Sequence, residues 1–254
     1  MAPTPDRITG ATPDLERLRR VRFVLCDADG NLFPSEEPAF EASSQVINRY
    51  LAEHGVERRY EPEELRLAAT GMSYRLVLAT LAQEHGLPAP GPDELERWVA
   101  AEKDAVTAHL RATLRPDPAV LGPLAALAEH HGIAAVSSSA DARIAASFEV
   151  TGMAGWFPPE LRFSAEDSLP VPTSKPDPAV YLYALDALSL AATDAVAVED
   201  SRTGAAAAVA AGIPTIGNLQ FVQKPEREER RRVLTDVGVI AIVETWAEIV
   251  DLLA

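Results

Sequence analysis

Residues 21–37 read VRFVLCDADGNLFPSEE: an apolar run, two aspartates one residue apart, then a glycine. The run VRFVLC (21–26) is short and apolar throughout, as a strand buried on both faces would be. Residues i and i+2 of a strand project to the same side, so Asp27 and Asp29 share one side if the strand persists to its end. Gly30 then frees the backbone to turn away. Two carboxylates are costly to bring together in a partly desolvated place unless a cation or a proton offsets their repulsion. Taken alone, the pair reads equally as aspartates that cap a turn. A calcium loop does not fit, because Leu32 and Pro38 fall where such a loop needs a glycine and a glutamate.

Outward from this stretch, short apolar runs alternate with longer helical patterns. IAAVS (133–137), AVAVE (195–199), IPTIG (213–217) and VGVIAIV (237–243) are further strand candidates. Between them DPAVLGPLAALAEHHG, ADARIAASFEVTG, DPAVYLYALDALSL and SRTGAAAAVAAG have apolar spacing near the helical period and a glycine or polar stop. Such alternation predicts βαβ units and a parallel sheet covered on both faces. Residues 35–113 break the rhythm with four helical patterns and no strand, which predicts an all-helical insert after the first strand.

Composition agrees with a globular chain of one large domain or a core with an insert: 254 residues, 47% hydrophobic and 24% charged. The 23 lysines and arginines against 38 acids leave a formal charge of −15, which disfavours nucleic acid or an anionic membrane as partner. Cys26 is the sole cysteine, so no intramolecular disulfide forms, and a reducing compartment fits best. The N-terminus has no signal-like apolar core and no segment has the run needed to span a bilayer, so the expectation is a soluble, cytoplasmic protein with a loose arm at 1–12.

The acidic pattern occurs twice. AVAVEDSRTG again runs an apolar strand into acids, Glu199 and Asp200, before a helix. In a parallel sheet both pairs lie at the carboxyl edge, where ligands bind, and their oxygens suit Mg²⁺. Ser137 at the end of GIAAVSSSA and Lys175 in TSKPDPAVY add a hydroxyl and an ammonium.

Taken in order, DxDGxL, a strand-end serine, KPDPxxY and EDSxxGxxAAxxAG resemble the haloacid dehalogenase superfamily of phosphohydrolases. The closer resemblance is to the branch with a helical cap after the first motif, which includes phosphoglycolate phosphatases, hexose-phosphate phosphatases and β-phosphoglucomutases. The resemblance covers about residues 20–254. It implies a Rossmann-like α/β core with a parallel sheet flanked by helices (1–34 and 114–254) and a helical cap (35–113). It also implies Mg²⁺-dependent hydrolysis of a small phosphorylated metabolite through an aspartyl-phosphate. Asp27 would be the nucleophile and Asp29 the general acid and base. Asp27, Asp29 through its carbonyl, Glu199 and Asp200 would hold the metal, and Ser137, Ser138 and Lys175 the phosphate. In the cap, Gly71, Ser73, Tyr74 and Arg75 of ATGMSYRLVL would touch the leaving group, Arg75 pairing a second anion or else facing solvent. Asp29 argues against a dehalogenase, and against a non-catalytic phosphate sensor, which has no need of it; a phosphomutase is the nearest alternative.

Some positions depart from the family. Asn31 replaces the usual threonine after DxDG, Pro34 a commonly acidic residue, and Ala39 a histidine found in some relatives. SAEDSLPVPTS before Lys175 is long and proline-rich. PEREERRRV (225–233) reads as a solvated helix face, Cys26 as an inert buried thiol, and Ser139 as a phosphate contact or a polar turn.

Overall fold

Six parallel strands form one sheet in the computed structural model, which describes residue 18, residues 20–69 and residues 72–254. The expected arm at 1–12 lies outside the described residues. The strands are β1 (Phe23–Cys26), β2 (Gly132–Ser137), β3 (Arg162–Ser164), β4 (Ala195–Glu199), β5 (Thr215–Asn218) and β6 (Ala241–Val243), in the order β3-β2-β1-β4-β5-β6. The chain divides into two compact units, residues 1–34 with 115–254, and residues 35–114.

The first unit holds the sheet. β1 lies between β2 and β4, with Cys26 level with Ala135 on one side and Val198 on the other. Sheet faces covered on both sides explain why these strands are apolar at every position instead of alternating. The covering helices are α5 (Pro118–Ala128), α6 (Asp141–Thr151), α7 (Ala179–Ala187), α8 (Arg202–Ala210), α9 (Arg227–Val237) and α10 (Trp246–Leu253), numbered after the four of the second unit. Leu25, Val136, Val180, Tyr181, Ala197 and Ala207 belong to one core cluster, so β1, β2, α7, β4 and α8 meet there. Side-chain caps set several helix starts: Asp117 accepts from Ala119 N, Ser201 from Gly204 N and Thr245 from Glu248 N. Each gives the chain a defined exit from a loop.

The second unit is helical: α1 (Glu36–Glu53), α2 (Pro62–Ala69), α3 (Tyr74–Glu84) and α4 (Pro92–Thr113). Its own core is Val46, Ile47, Tyr50, Leu51, Leu65, Leu78, Leu81 and Trp98, with Tyr50 and Trp98 edge to face at 5.6 Å. A separate apolar centre makes it a unit by itself.

Two element boundaries differ from expectation. VGVIAIV gives a strand only over Ala241–Val243, because Val237 completes α9 and Gly238 leaves it in the left-handed region (φ 98°). The sheet's edge strand β3 was not expected at all. It has three residues, only one of them strongly apolar, so it carries no periodic signal.

Candidate active site

The chain builds β1, β2 and β3 toward one edge, then crosses to place β4 on the other side of β1. Connections diverge at that point, and a crevice opens beyond the carboxyl ends of the two strands. Asp27 follows β1, Glu199 ends β4 and Asp200 follows it. The Asp27 amide donates to Val198 O at 3.0 Å, which fixes its height against β4. One oxygen from each of Asp27, Glu199 and Asp200 lies within 4.8 Å of the others, and all three residues are buried.

Lys175 penetrates this cluster. Its Nζ donates to Asp27 Oδ1 (2.6 Å), Glu199 Oε1 (2.6 Å) and Val136 O (2.8 Å). An ammonium has three protons, so all of its donors are directed into the protein, where the sequence reading gave it to the phosphate. The two carboxylates raise its pKa against the burial that would lower it, and Lys175 stays charged. Glu199 Oε1 also accepts from the Tyr181 hydroxyl.

The remaining serines and Asp29 form the rim. Ser137 is buried at the end of β2, and its Oγ accepts from Ser139 N at 3.0 Å. Ser138 Oγ accepts from Lys175 N at 3.1 Å and so ties the β2 loop to the lysine. Asp29 receives Ser139 Oγ on Oδ2 at 2.7 Å and Arg143 Nη2 on Oδ1 at 3.1 Å. Between the aspartates and the turn, Gly30 is required twice: its φ is 78°, and a Cβ there would lie 2.7 Å from Asp200 Oδ2.

Asn31 lies behind the cluster with no exposed surface. Its Nδ2 donates to Asp27 O (2.9 Å) and Val198 O (3.0 Å), and its Oδ1 accepts from Asn218 Nδ2 (2.8 Å). Trp246 Nε1 donates to Asn31 O at 2.9 Å. A threonine has one donor and could not bridge both strand ends while also accepting from Asn218. The departure at this position therefore has a structural reason.

Of the cap residues, Gly71 lies outside the described residues. Ser73 caps α3, its Oγ accepting from Leu76 N at 3.4 Å. Burial pushes the Tyr74 hydroxyl up. Arg75 pairs through two nitrogens with Glu96 (2.5 and 2.8 Å) within the helical unit. The proline-rich stretch is an ordered loop: Ser164 Oγ accepts from Glu166 N and Asp167 N, and Thr173 N returns to Ala165 O at 3.0 Å.

Three contributors escaped the sequence reading. Arg143 lies 114 residues from Asp29, whereas Tyr181 lies 18 from Glu199 and belongs to the KPDPxxY pattern. Arg230 belongs to the run read as a solvated face, yet its Nη1 donates to Asp200 O at 2.6 Å and lies 3.4 Å from Asp200 Oδ2. Arg227 and Arg231 of the same run are also partly buried and both pair with Glu244, so only part of it, such as Arg232 pairing with the exposed Glu229, is the solvated face expected. Cys26 is buried, and its thiol is pushed up by burial and by Asp27, which leaves it inert.

A hard divalent cation fits the cluster. Every donor is oxygen, and Lys175 and Arg230 set two positive charges against three carboxylates. Burial pushes the Asp27 carboxyl well above the usual range, Lys175 opposes the rise, and Glu199 and Asp200 add to it. Glu199 Oε2 is buried with no hydrogen-bond partner among the described residues. Further positive charge would relieve both.

Known proteins share this fold. The chain overlays a HAD family hydrolase from Deinococcus radiodurans, solved with bound phosphate and sodium, at 26% identity and TM-score 0.65, covering 93% of this chain and 99% of that one. CbbY from Rhodobacter sphaeroides, in complex with xylulose-1,5-bisphosphate, has the same fold (22% identity, TM-score 0.67, 90% and 96% coverage). So has a "predicted phosphoglycolate phosphatase" from Haemophilus somnus (18%, TM-score 0.72, 92% and 99%). No curated protein matches the chain in sequence. No described helix is long and apolar enough to cross a membrane. A family model matches residues 24–218, from β1 through β5 and thus across every acid of the cluster; the chain belongs to the haloacid dehalogenase-like hydrolases.

Proposed function

We propose that the protein is a Mg²⁺-dependent phosphatase that hydrolyses a small phosphomonoester through an aspartyl-phosphate. The observation that carries this reading is the buried meeting of Asp27, Glu199, Asp200 and Lys175 beside Asp29. An Asp27 oxygen attacks phosphorus, and the bond to the leaving oxygen breaks as Asp29 gives that oxygen a proton. Asp29 then takes a proton from water, whose oxygen attacks phosphorus and releases Asp27 and inorganic phosphate. Asp27, the Asp29 carbonyl and Asp200, with Glu199 beside them, would hold Mg²⁺, which supplies charge to offset phosphate against an anionic nucleophile. Ser137 ends β2 and Ser138 follows it beside the lysine, and both would present the loop to the phosphoryl oxygens. Lys175 neutralises Asp27 from behind and stabilises the charge that develops on it. The inserted helical unit, with Gly71, Ser73, Tyr74 and Arg75, is the part of the chain proposed to select the ester.

Phosphate release from a panel of small esters tests this reading, with and without Mg²⁺ and with Asp27→Asn as blank. Release that needs Mg²⁺ and vanishes in the variant is expected. Release that survives Asp27→Asn removes the nucleophile. Turnover only with a bisphosphate activator marks a mutase.

A further inference from the structure

Asp29 is held on both oxygens, and the hold is lopsided. Ser139 occupies Oδ2, so Arg143 reaches Oδ1 with one nitrogen only, at 3.1 Å. A guanidinium binds a carboxylate or phosphate best through two parallel N–H bonds. Arg143 Nε is buried and has no hydrogen-bond partner among the described residues. A buried donor left unmade is costly, and such groups in folded proteins call for an explanation.

The neighbouring carboxylates do not supply one. Asp141, in the first turn of the same helix, is held through two nitrogens by Arg162 (2.8 and 3.2 Å). Asp167 accepts the Asp141 amide at 2.7 Å. Two other arginines named above are committed elsewhere, Arg75 to Glu96 and Arg230 to Asp200. Arg143 is a quarter exposed and stands beside the carboxyl end of β2, on the proposed acid–base aspartate. Among the described residues it is a charged fork making a single bond.

We infer that Arg143 receives a second anionic group on the leaving-group side of the substrate. That group takes the guanidinium over from Asp29 through two bonds and releases the aspartate for proton transfer. The inference rests on the phosphatase reading and names its substrate class: phosphomonoesters that carry a further carboxylate or phosphate. The binding of the correct ester and the freeing of Asp29 become one event.

The test uses the full chain bearing Asp27→Asn, which binds without turnover, in Mg²⁺. Calorimetric titrations with inorganic phosphate, 2-phosphoglycolate and fructose 1,6-bisphosphate give the margin of each two-anion ligand over phosphate. A margin for the first assigns a carboxylate, and for the second a phosphate. Arg143→Met should erase about 10–100-fold of that margin, the worth of a charge-assisted pair. Arg143→Lys, which keeps the charge and loses the fork, should restore part of it and serves if the methionine variant does not fold. A margin that neither variant changes, or two-anion ligands no tighter than phosphate, overturns the inference. Failure of the phosphatase reading shows separately, as no phosphate release by the unmodified chain.

Discussion

Lys175 and Asn31 show how single side chains make the acid cluster possible. Lys175 is only 4% exposed and Glu199 not at all, so their pair is buried outright. Removing one partner of a buried pair costs about 3–5 kcal/mol, because the other charge is left without compensation. Lys175→Met should cost that much in urea unfolding measured without metal. Adding Glu199→Gln should return part of it, since the double variant removes both members of one pair. A loss in the double variant equal to the sum of the two singles would show that the pair is not coupled. Asn31 acts through the backbone: with its amide removed, Asp27 O and the Asn218 amide lose the bonds it makes to them, and Val198 O keeps only the Asp27 amide. Asn31→Ala should therefore cost about 1–3 kcal/mol, and Asn31→Thr nearly as much. A threonine variant as stable as the parent would show that the bridge is dispensable.

At the scale of elements, β4 and α8 are joined by a contact that glycine alone allows. A Cβ on Gly204 would lie 1.8 Å from Glu199 Oε2, a carboxylate already fixed by Lys175 and Tyr181. Alanine in place of glycine normally favours a helix by about 1 kcal/mol. Overpacking a core costs about 1–3 kcal/mol and more where the neighbour cannot move. Gly204→Ala should therefore destabilise, with the denaturant midpoint lowered and the slope unchanged; a stabilised variant would mean that Glu199 can shift aside. The strands leading into the acids were legible in the sequence because buried parallel strands are apolar at every position. Asp27, Glu199 and Asp200 stood out because the same run-into-acids pattern occurs twice, and their roles came from the ordered motifs of the family resemblance. What stayed hidden reaches in from other elements. Arg143 bonds Asp29 from 114 residues away, and Arg230 meets Asp200 from an exposed-looking helix across 30. Long side chains carry charge sideways, and periodicity records which way a residue faces, not how far its end reaches. The three-residue β3 was invisible for a different reason: edge strands that short have no pattern to detect.

For the whole molecule, the acid cluster lies within one of the two units. Asp27, Glu199 and Asp200 all belong to the α/β unit, and the helical unit has a core of its own. An overall charge of −15 favours accumulation of cations, yet general attraction and a specific site predict different outcomes. A ligand bound only by the folded state stabilises by RT ln(1 + [L]/Kd), about 2.7 kcal/mol at a hundredfold excess over Kd. Mg²⁺ should raise the unfolding midpoint of the full chain by an amount that saturates, and Asp200→Asn should abolish most of the rise. Amide exchange adds location. Protection on metal addition should grow around residues 24–34 and 195–204, which carry the donors, and leave Val46, Ile47, Leu78 and Trp98 as they were. A rise in protection spread evenly over both units, or one that survives Asp200→Asn, would mean that Mg²⁺ merely screens an acidic surface. Confined to the first unit and lost in the variant, it would locate the cation where β1 and β4 part.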